Sequence, residues 1–263
     1  MNNKLFLWLN QSKGDLLAML PVLELLFETY PDVEVKFACY ASQADLLQHF
    51  PLEIILNQGN YIDIPSRLNF FRKIDPKLYE GYVPMQLWGG LYNHNLAWKD
   101  QVKTFNNQCK ENNLDLHLDD NPLRFIELPE VEVDVLDKAV YVENGFTVSG
   151  HSFFHFDVFK LSLMFPKINF YTTYPVDFVA KNVFDCSKMS IIELSNVSKK
   201  CLIMVGKGSG PFVCTLNEAN RDKEKYLFDF RYEFKKWDES DKTVLLNTEQ
   251  ELFDVLRPLN RSK

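Results

Sequence analysis

An α/β fold of two consecutive units is predicted by three features of this 263-residue chain. Short apolar strands alternate with helical patterns of 3.6-residue period, the order expected of βαβ units. The series runs twice, restarting at Ala139 after an acidic, Pro-containing stretch at 119–138. Polar or Gly-rich loops follow key strands, at the ends where open α/β sheets hold their ligands.

The first series opens with a buried strand from Lys4 to Leu9 and a polar loop, Asn10-Gln-Ser-Lys-Gly-Asp15. The helix that follows, to Tyr30, sets Leu16, Leu17, Leu20, Leu23 and Phe27 on one stripe, with Glu24 and Glu28 opposite. Pro21 removes one backbone bond and is expected to bend it. Val33 to Ala38 returns as a strand, Ser42 to Phe50 forms a short helix, and Glu53 to Leu56 is a third strand. From Gly59 to Gly90 the period weakens, and Pro65, Pro76, Pro84 and Gly89-Gly90 break the chain into loops and short pieces. Tyr79, Tyr82, Trp88, Tyr92, His94 and Trp98 concentrate in and just beyond this region. They form either an acceptor-binding rim or a layer packed under a long loop. A polar helix from Lys99 to Asn113 turns Val102, Phe105 and Cys109 inward.

Residues 119–138 read as a linker or edge segment, which divides the chain into domains at 1–130 and 131–263. The second series has a strand from Ala139 to Glu143, a loop to Ser152, a helix from Phe156 to Met164 and a strand from Ile168 to Thr172. A short strand near Val183, a helix from Ser190 to Ser198 and a strand from Cys201 to Val205 follow. Two apolar stretches and an amphipathic helix from Thr248 to Leu256 complete the chain.

Composition narrows the function classes. Net charge is −7, with 16 acidic and 11 basic residues in 1–128 and 20 and 18 in 129–263. Neither half offers the concentrated positive face that nucleic acid requires. The 5 cysteines are widely spaced and set among apolar residues. They read as reduced core thiols, with neither a CxxC nor a Cys/His cluster at metal spacing. The apolar opening strand is shorter than a signal h-region, and no run reaches the roughly 18 residues of a membrane span. A cytoplasmic protein is expected, with peripheral contact at a membrane surface left open.

Three strand-end loops could carry chemistry. In the first, Asp15 is either a general base or a helix-terminal residue suited to the cap and dipole, and Lys13 adds a positive charge beside it. The second, Gly206-Lys-Gly-Ser-Gly-Pro211, would let backbone N–H groups approach a phosphate, with Lys207 adding charge; it is otherwise a tight turn. It matches neither the P-loop nor the dinucleotide-binding spacing. The third, Glu143 to His155, holds His151, which either contacts phosphate or acts as an acid, or is a packing residue. No Gly-x-Ser-x-Gly elbow surrounds Ser149 or Ser152, so a hydrolase triad is not supported.

The pattern resembles glycosyltransferase family 9, the ADP-heptose:lipopolysaccharide heptosyltransferases. Leu5 to Leu9, Gly14-Asp15, Leu20-Pro21 and Tyr30-Pro31 followed by Val33 and Val35 are similar to that family's N-terminal signature. Val140-Tyr-Val142, Ser190 to Leu194, Val205-Gly206 and Ser209-Gly210 resemble its donor-side domain. The resemblance implies a GT-B-like fold, two Rossmann-like domains facing across a cleft, and metal-independent, inverting transfer from a nucleotide sugar without a further cofactor. It would make Asp15 the base that activates a glycan or glycolipid hydroxyl. Lys207, Gly208, Ser209, Gly210 and His151 would bind the donor, and Lys13, Trp88, Tyr92 and His94 the acceptor. Gly208 stands where the family's V-G-x-D-[ST]-G loop carries Asp, and Val213 near its His. The alternative is therefore a non-catalytic nucleotide- or carbohydrate-binding protein of the same fold.

Overall fold

The computed structural model describes residues 4–59, 63–87, 98–120, 124–145, 154–228, 238 and 240–261. The chain forms two compact units, Met1–Arg124 and Phe125–Lys263. Each contains one sheet whose strand pairs are all parallel. Such sheets need cover on both faces, which accounts for strands that are apolar throughout rather than alternating.

In the first unit the strands are β1 (Lys4–Trp8), β2 (Glu34–Tyr40), β3 (Glu53–Asn57) and β4 (Val83–Gln86), in the spatial order β3-β2-β1-β4. β4 falls in the region expected to be loops. Its sequence Val-Pro-Met-Gln conceals it, because Pro84 cannot donate to a ladder; the strand tolerates Pro84 because, among the described residues, it lies at the sheet edge and pairs with β1 alone. The Ser42–Phe50 helix is instead a short 3-10 turn over Ala41–Leu46, without a continued α-helical ladder.

Between β1 and β2 runs α1 (Lys13–Thr29), which continues through Pro21. Its burial is wider than a stripe: Met19, Val22 and Leu26 are covered as fully as Leu16 and Leu20. The second cover is α3 (Trp98–Glu111), which packs against α1 after the short helix α2 (Ile64–Leu68). Phe6, Tyr40 and Phe70 anchor the aromatic layer on this sheet, with Tyr40 and Phe70 edge to face at 4.9 Å.

The second unit holds β5 (Ala139–Val142), β6 (Asn169–Thr172), β7 (Val183–Asp185), β8 (Ile203–Gly206), β9 (Lys225–Leu227) and β10 (Thr243–Leu245), in the order β10-β9-β8-β5-β6-β7. Strand order therefore reverses between β5 and β8, as in the doubly wound dinucleotide-binding fold. α4 (Val158–Met164), α5 (Ile191–Lys200), α6 (Gly210–Val213) and α7 (Glu249–Arg261) connect or cover the strands. α5 starts at a capping box in which Ser190 and Glu193 satisfy one another's backbone N–H groups.

The segment after Arg124 belongs with this unit, for local reasons. Ile126 N–H bonds to Leu216 O at 2.9 Å, Asn196 Nδ2 to Pro129 O at 2.9 Å, and Lys200 Nζ to Val133 O at 2.6 Å. All five cysteines are buried and free. Burial pushes the thiols of Cys39, Cys109, Cys201 and Cys214 up to about 12.

Candidate functional site

Each sheet has one switch point, and each is lined by polar side chains. In the first unit it lies between β1 and β4, whose carboxyl ends are joined by Gln86 Nε2 donating to Asn10 Oδ1 at 3.3 Å. Asn10 Nδ2 also donates to Arg67 O at 3.1 Å, and Gln43 Nε2 to Gln11 O at 2.9 Å, so the loop after β1 is held from two neighbouring segments.

Asp15 closes a capping box at the start of α1. Its Oδ2 accepts from Ser12 N–H at 2.8 Å and Ser12 Oγ at 2.6 Å, while Asp15 N–H donates to Ser12 Oγ at 3.3 Å. The side chain is half-buried at the loop mouth and makes further interactions. It thus has the helix-terminal role and also the strand-end position; the two expectations do not compete for geometry. Lys13 Nζ pairs with Asp45 Oδ2 at 2.8 Å. Trp88, Tyr92, His94 and His151 lie outside the described residues.

A cavity of about 530 Å³ lies not at this switch point but along the edge strand β3, lined by Ile55, Asn57, Lys73, Asp75 and Leu78 among others. None of the expected site residues lines it.

In the second unit, the switch point between β5 and β8 is organised by Glu143. This carboxylate is only 2% exposed. Its Oε1 accepts from Gly145 N–H at 3.1 Å and its Oε2 from Lys207 N–H at 3.2 Å, so one side chain ties the β5 loop to the β8 loop. Two glycines allow this approach. A Cβ on Gly145 would stand 2.9 Å from Glu143 Oε1, and one on Gly206 would stand 2.7 Å from Glu143 Cβ and 2.5 Å from Phe212 Cδ2.

Burial pushes the Glu143 carboxyl up to about 7, because the Lys207 charge and the two N–H bonds offset only part of the desolvation. The Ser209 hydroxyl is near enough to favour the carboxylate, although it makes no bond of hydrogen-bonding geometry.

Lys207 is 3% exposed and turned inward, its Nζ donating to Phe154 O at 3.1 Å and lying 5.7 Å from the centre of the Phe156 ring. Burial lowers its pKa, and Glu143 opposes that shift. Gly208, Ser209 and Gly210 are partly exposed at the same mouth. Two buried hydroxyls there, Thr173 Oγ1 after β6 and Ser209 Oγ after β8, have no hydrogen-bond partner among the described residues.

Glu143 is the residue that spacing arguments missed. The available signal was a carboxylate ending an apolar strand and followed by Gly two residues on, but a fully buried carboxylate is rare enough that a strand-end Glu normally reads as solvated.

Among the described residues, no group of three or more His, Cys, Asp or Glu side chains is placed to hold a metal ion. No described helix is long and apolar enough to cross a membrane.

This pair of parallel sheets is the fold of the GT-B glycosyltransferases. A family 9 glycosyltransferase from Veillonella parvula superposes on 100% of this chain and 91% of its own, with a TM-score of 0.61 at 11% identity. ADP-heptose lipopolysaccharide heptosyltransferase II of E. coli gives 0.57 at 11% identity, covering 98% of each chain. E. coli heptosyltransferase WaaC, determined with ADP-2-deoxy-2-fluoro heptose, gives 0.57 at 12% identity over 92% of this chain and 93% of its own. At the level of sequence, no family model and no curated protein matches the chain.

Proposed function

We propose that this chain is a cytoplasmic glycosyltransferase that moves a sugar from a nucleotide-diphosphate donor to a hydroxyl on a glycan or glycolipid, without a metal and with inversion at the anomeric carbon. The observation that carries this reading is Asp15, a carboxylate in the first turn of α1, the helix that follows β1, in a fold shared with glycosyltransferases.

In this mechanism Asp15 removes the proton of the acceptor hydroxyl. The acceptor oxygen forms its bond to the anomeric carbon as the bond from that carbon to the diphosphate breaks, with the electron pair leaving on the diphosphate. Backbone N–H groups of Gly208, Ser209 and Gly210 stabilise the negative charge that develops there, assisted by Lys207 and His151. Ser12, which donates twice to Asp15 Oδ2, holds the carboxylate oriented. Lys13, Trp88, Tyr92 and His94 would contact the acceptor.

Asp15→Asn is the direct test. Sugar transfer is expected to fall by at least about 100-fold while nucleotide affinity is retained, the range removed with a general base. Transfer that survives the change overturns the base assignment. A thermal-shift series with nucleoside diphosphates and their sugars tests the donor: stabilisation by none of them overturns the donor assignment.

One observation favours a second reading, a non-catalytic nucleotide- or carbohydrate-binding protein. The Lys207 ammonium is turned to Phe154 O, and Gly208 supplies no carboxylate. Binding without turnover for every donor would decide for it.

A further inference from the structure

We propose that Glu143 is an internal anion of the second unit's ligand loops, holding N–H groups that a diphosphate would otherwise take, so that a nucleoside diphosphate binds there together with a proton. This rests on the donor assignment proposed above and adds to it the control of that site.

Four observations converge. First, Glu143 stands at the switch point between β5 and β8, where doubly wound sheets place nucleotide phosphates. Second, its two oxygens occupy one N–H from each of the two loops that flank that point, Gly145 and Lys207. Third, Gly145 and Gly206 let both loops close on the carboxylate, a close approach that a Cβ at either position would obstruct. Fourth, the buried hydroxyl of Thr173, just after β6, has no hydrogen-bond partner among the described residues, so a polar group beyond those serving Glu143 is available to a ligand.

The groups set against Glu143 make its charge state adjustable. Lys207, after β8, carries the positive charge. Tyr141, on β5, and Cys214, at the end of α6, are buried and held neutral by desolvation. Tyr174, after β6, presents its ring beside Gly145. One inward-turned ammonium is thus the described cation facing a buried carboxylate that already lies close to neutrality. A diphosphate brought to these loops adds two or more negative charges and raises the carboxyl pKa further, which is equivalent to proton uptake on binding. Once neutral, Glu143 no longer repels the ligand and gives up its claim on the loop N–H groups.

The size of the effect follows from the fraction of neutral Glu143. With a carboxyl at about 7, that fraction is about one in eleven at pH 8 and about ten in eleven at pH 6. Apparent affinity is reduced by the same factor, so wild-type protein should bind about tenfold more weakly at pH 8 than a variant that is permanently neutral at this position.

The experiment is isothermal titration calorimetry of the full chain and of Glu143→Gln with ADP, GDP, UDP and inorganic pyrophosphate, at pH 6 and pH 8. Two buffers of different ionisation enthalpy are used at each pH. Titration of the ligand's own phosphate is common to both proteins and cancels in their comparison.

Affinities that are similar at pH 6 and about tenfold tighter for Glu143→Gln at pH 8 support the proposal, as does uptake of nearly one proton by the wild type at pH 8. At pH 8 the terminal phosphate of the ligand, with a second pKa of about 6, is already ionised, so the wild-type proton count at that pH decides the matter even if the variant does not fold. Binding by the wild type with no proton uptake at pH 8, or weaker binding by the variant at both pH values, overturns the proposal and leaves the donor assignment standing. Absence of binding by the wild type at pH 6 to all four probes overturns both.

Discussion

Adding a single methyl group at Gly206 should destabilise the second unit selectively. The Cβ of Gly206→Ala would stand 2.5 Å from Phe212 Cδ2 and 2.7 Å from Glu143 Cβ, both inside the distance that real Cβ atoms keep. Neither neighbour can swing aside into solvent: Phe212 is 0% and Glu143 2% exposed. Glu143 is also tied by both carboxylate oxygens, and Gly206 O accepts from Phe228 N–H at 2.9 Å, which holds the strand itself. Overpacking of this kind costs about 1–3 kcal/mol, and a site with two fixed neighbours belongs at the upper end. For a unit of this size, about 3 kcal/mol corresponds to a fall in Tm of about 6–12 °C.

Differential scanning calorimetry, with urea unfolding followed by circular dichroism, would measure it and show which transition moves. Gly81→Ala is the control. Gly81 has φ +81 with nothing within 4 Å of the added atom, so only backbone strain of about 1–2 kcal/mol is expected, in the first unit. A Gly206→Ala protein that melts within about 1 °C of wild type would show that the two loops relax around Glu143, and the overpacking estimate would be refuted.

Three further outcomes are expected. Lys225 Nζ and Asp238 Oδ2 lie 3.4 Å apart with both side chains 1% exposed, so Lys225→Met should cost about 3–5 kcal/mol by leaving a buried carboxylate uncompensated. Adding Asp238→Leu should recover part of that loss, and urea midpoints that simply add would contradict the pairing. Ser12→Ala removes the N-cap of α1 and should lower stability by about 1 kcal/mol, measured by the same midpoints; no loss would mean that Asp15 sustains the helix start alone. Finally, Glu143 should make stability depend on pH. Its carboxyl is raised from 4.5 to about 7 on folding, so the folded state binds more protons across that window. Its contribution is fully present below about pH 4.5 and is lost as pH rises through about 7, by on the order of 3 kcal/mol. The stability difference between wild type and Glu143→Gln should decline from pH 5 to pH 8, and a flat difference would contradict the buried, raised carboxyl.

The two-unit α/β architecture was legible because its signals are local. Ser12-x-x-Asp15 before Leu16 marks the start of α1, Ser190-x-x-Glu193 marks that of α5, and the apolar tetrads Ala139–Val142 and Ile203–Gly206 admit little except buried strands. β4 was not legible, since Pro84 argues against a strand unless one already knows that it is an edge. The full burial of α1 was not legible either, since it involves α3, a helix some 80 residues further along the chain that packs against α1. The candidate sites divide in the same way. Asp15 stands in a local signature, Ser12-x-x-Asp15 at the start of α1, that is visible in the sequence. Glu143 does not, because its character comes from two glycines, one of them 63 residues distant, that bring separate loops onto one carboxylate.

The stitching of residues 126–133 to the far part of their own unit bears on how the chain is made. Glu127 is joined to Glu218 N–H across 91 residues, and Ile126 to Leu216 beside it. At about 5–20 residues per second, a ribosome takes roughly 5–20 s to deliver the partners after this segment emerges. Until then Ile126 and Glu127 lack these two bonds, while every residue of the first unit has already been synthesised. A nascent chain arrested before residue 216 should therefore carry a protease-sensitive site just past Arg124, and release of the arrest should erase it.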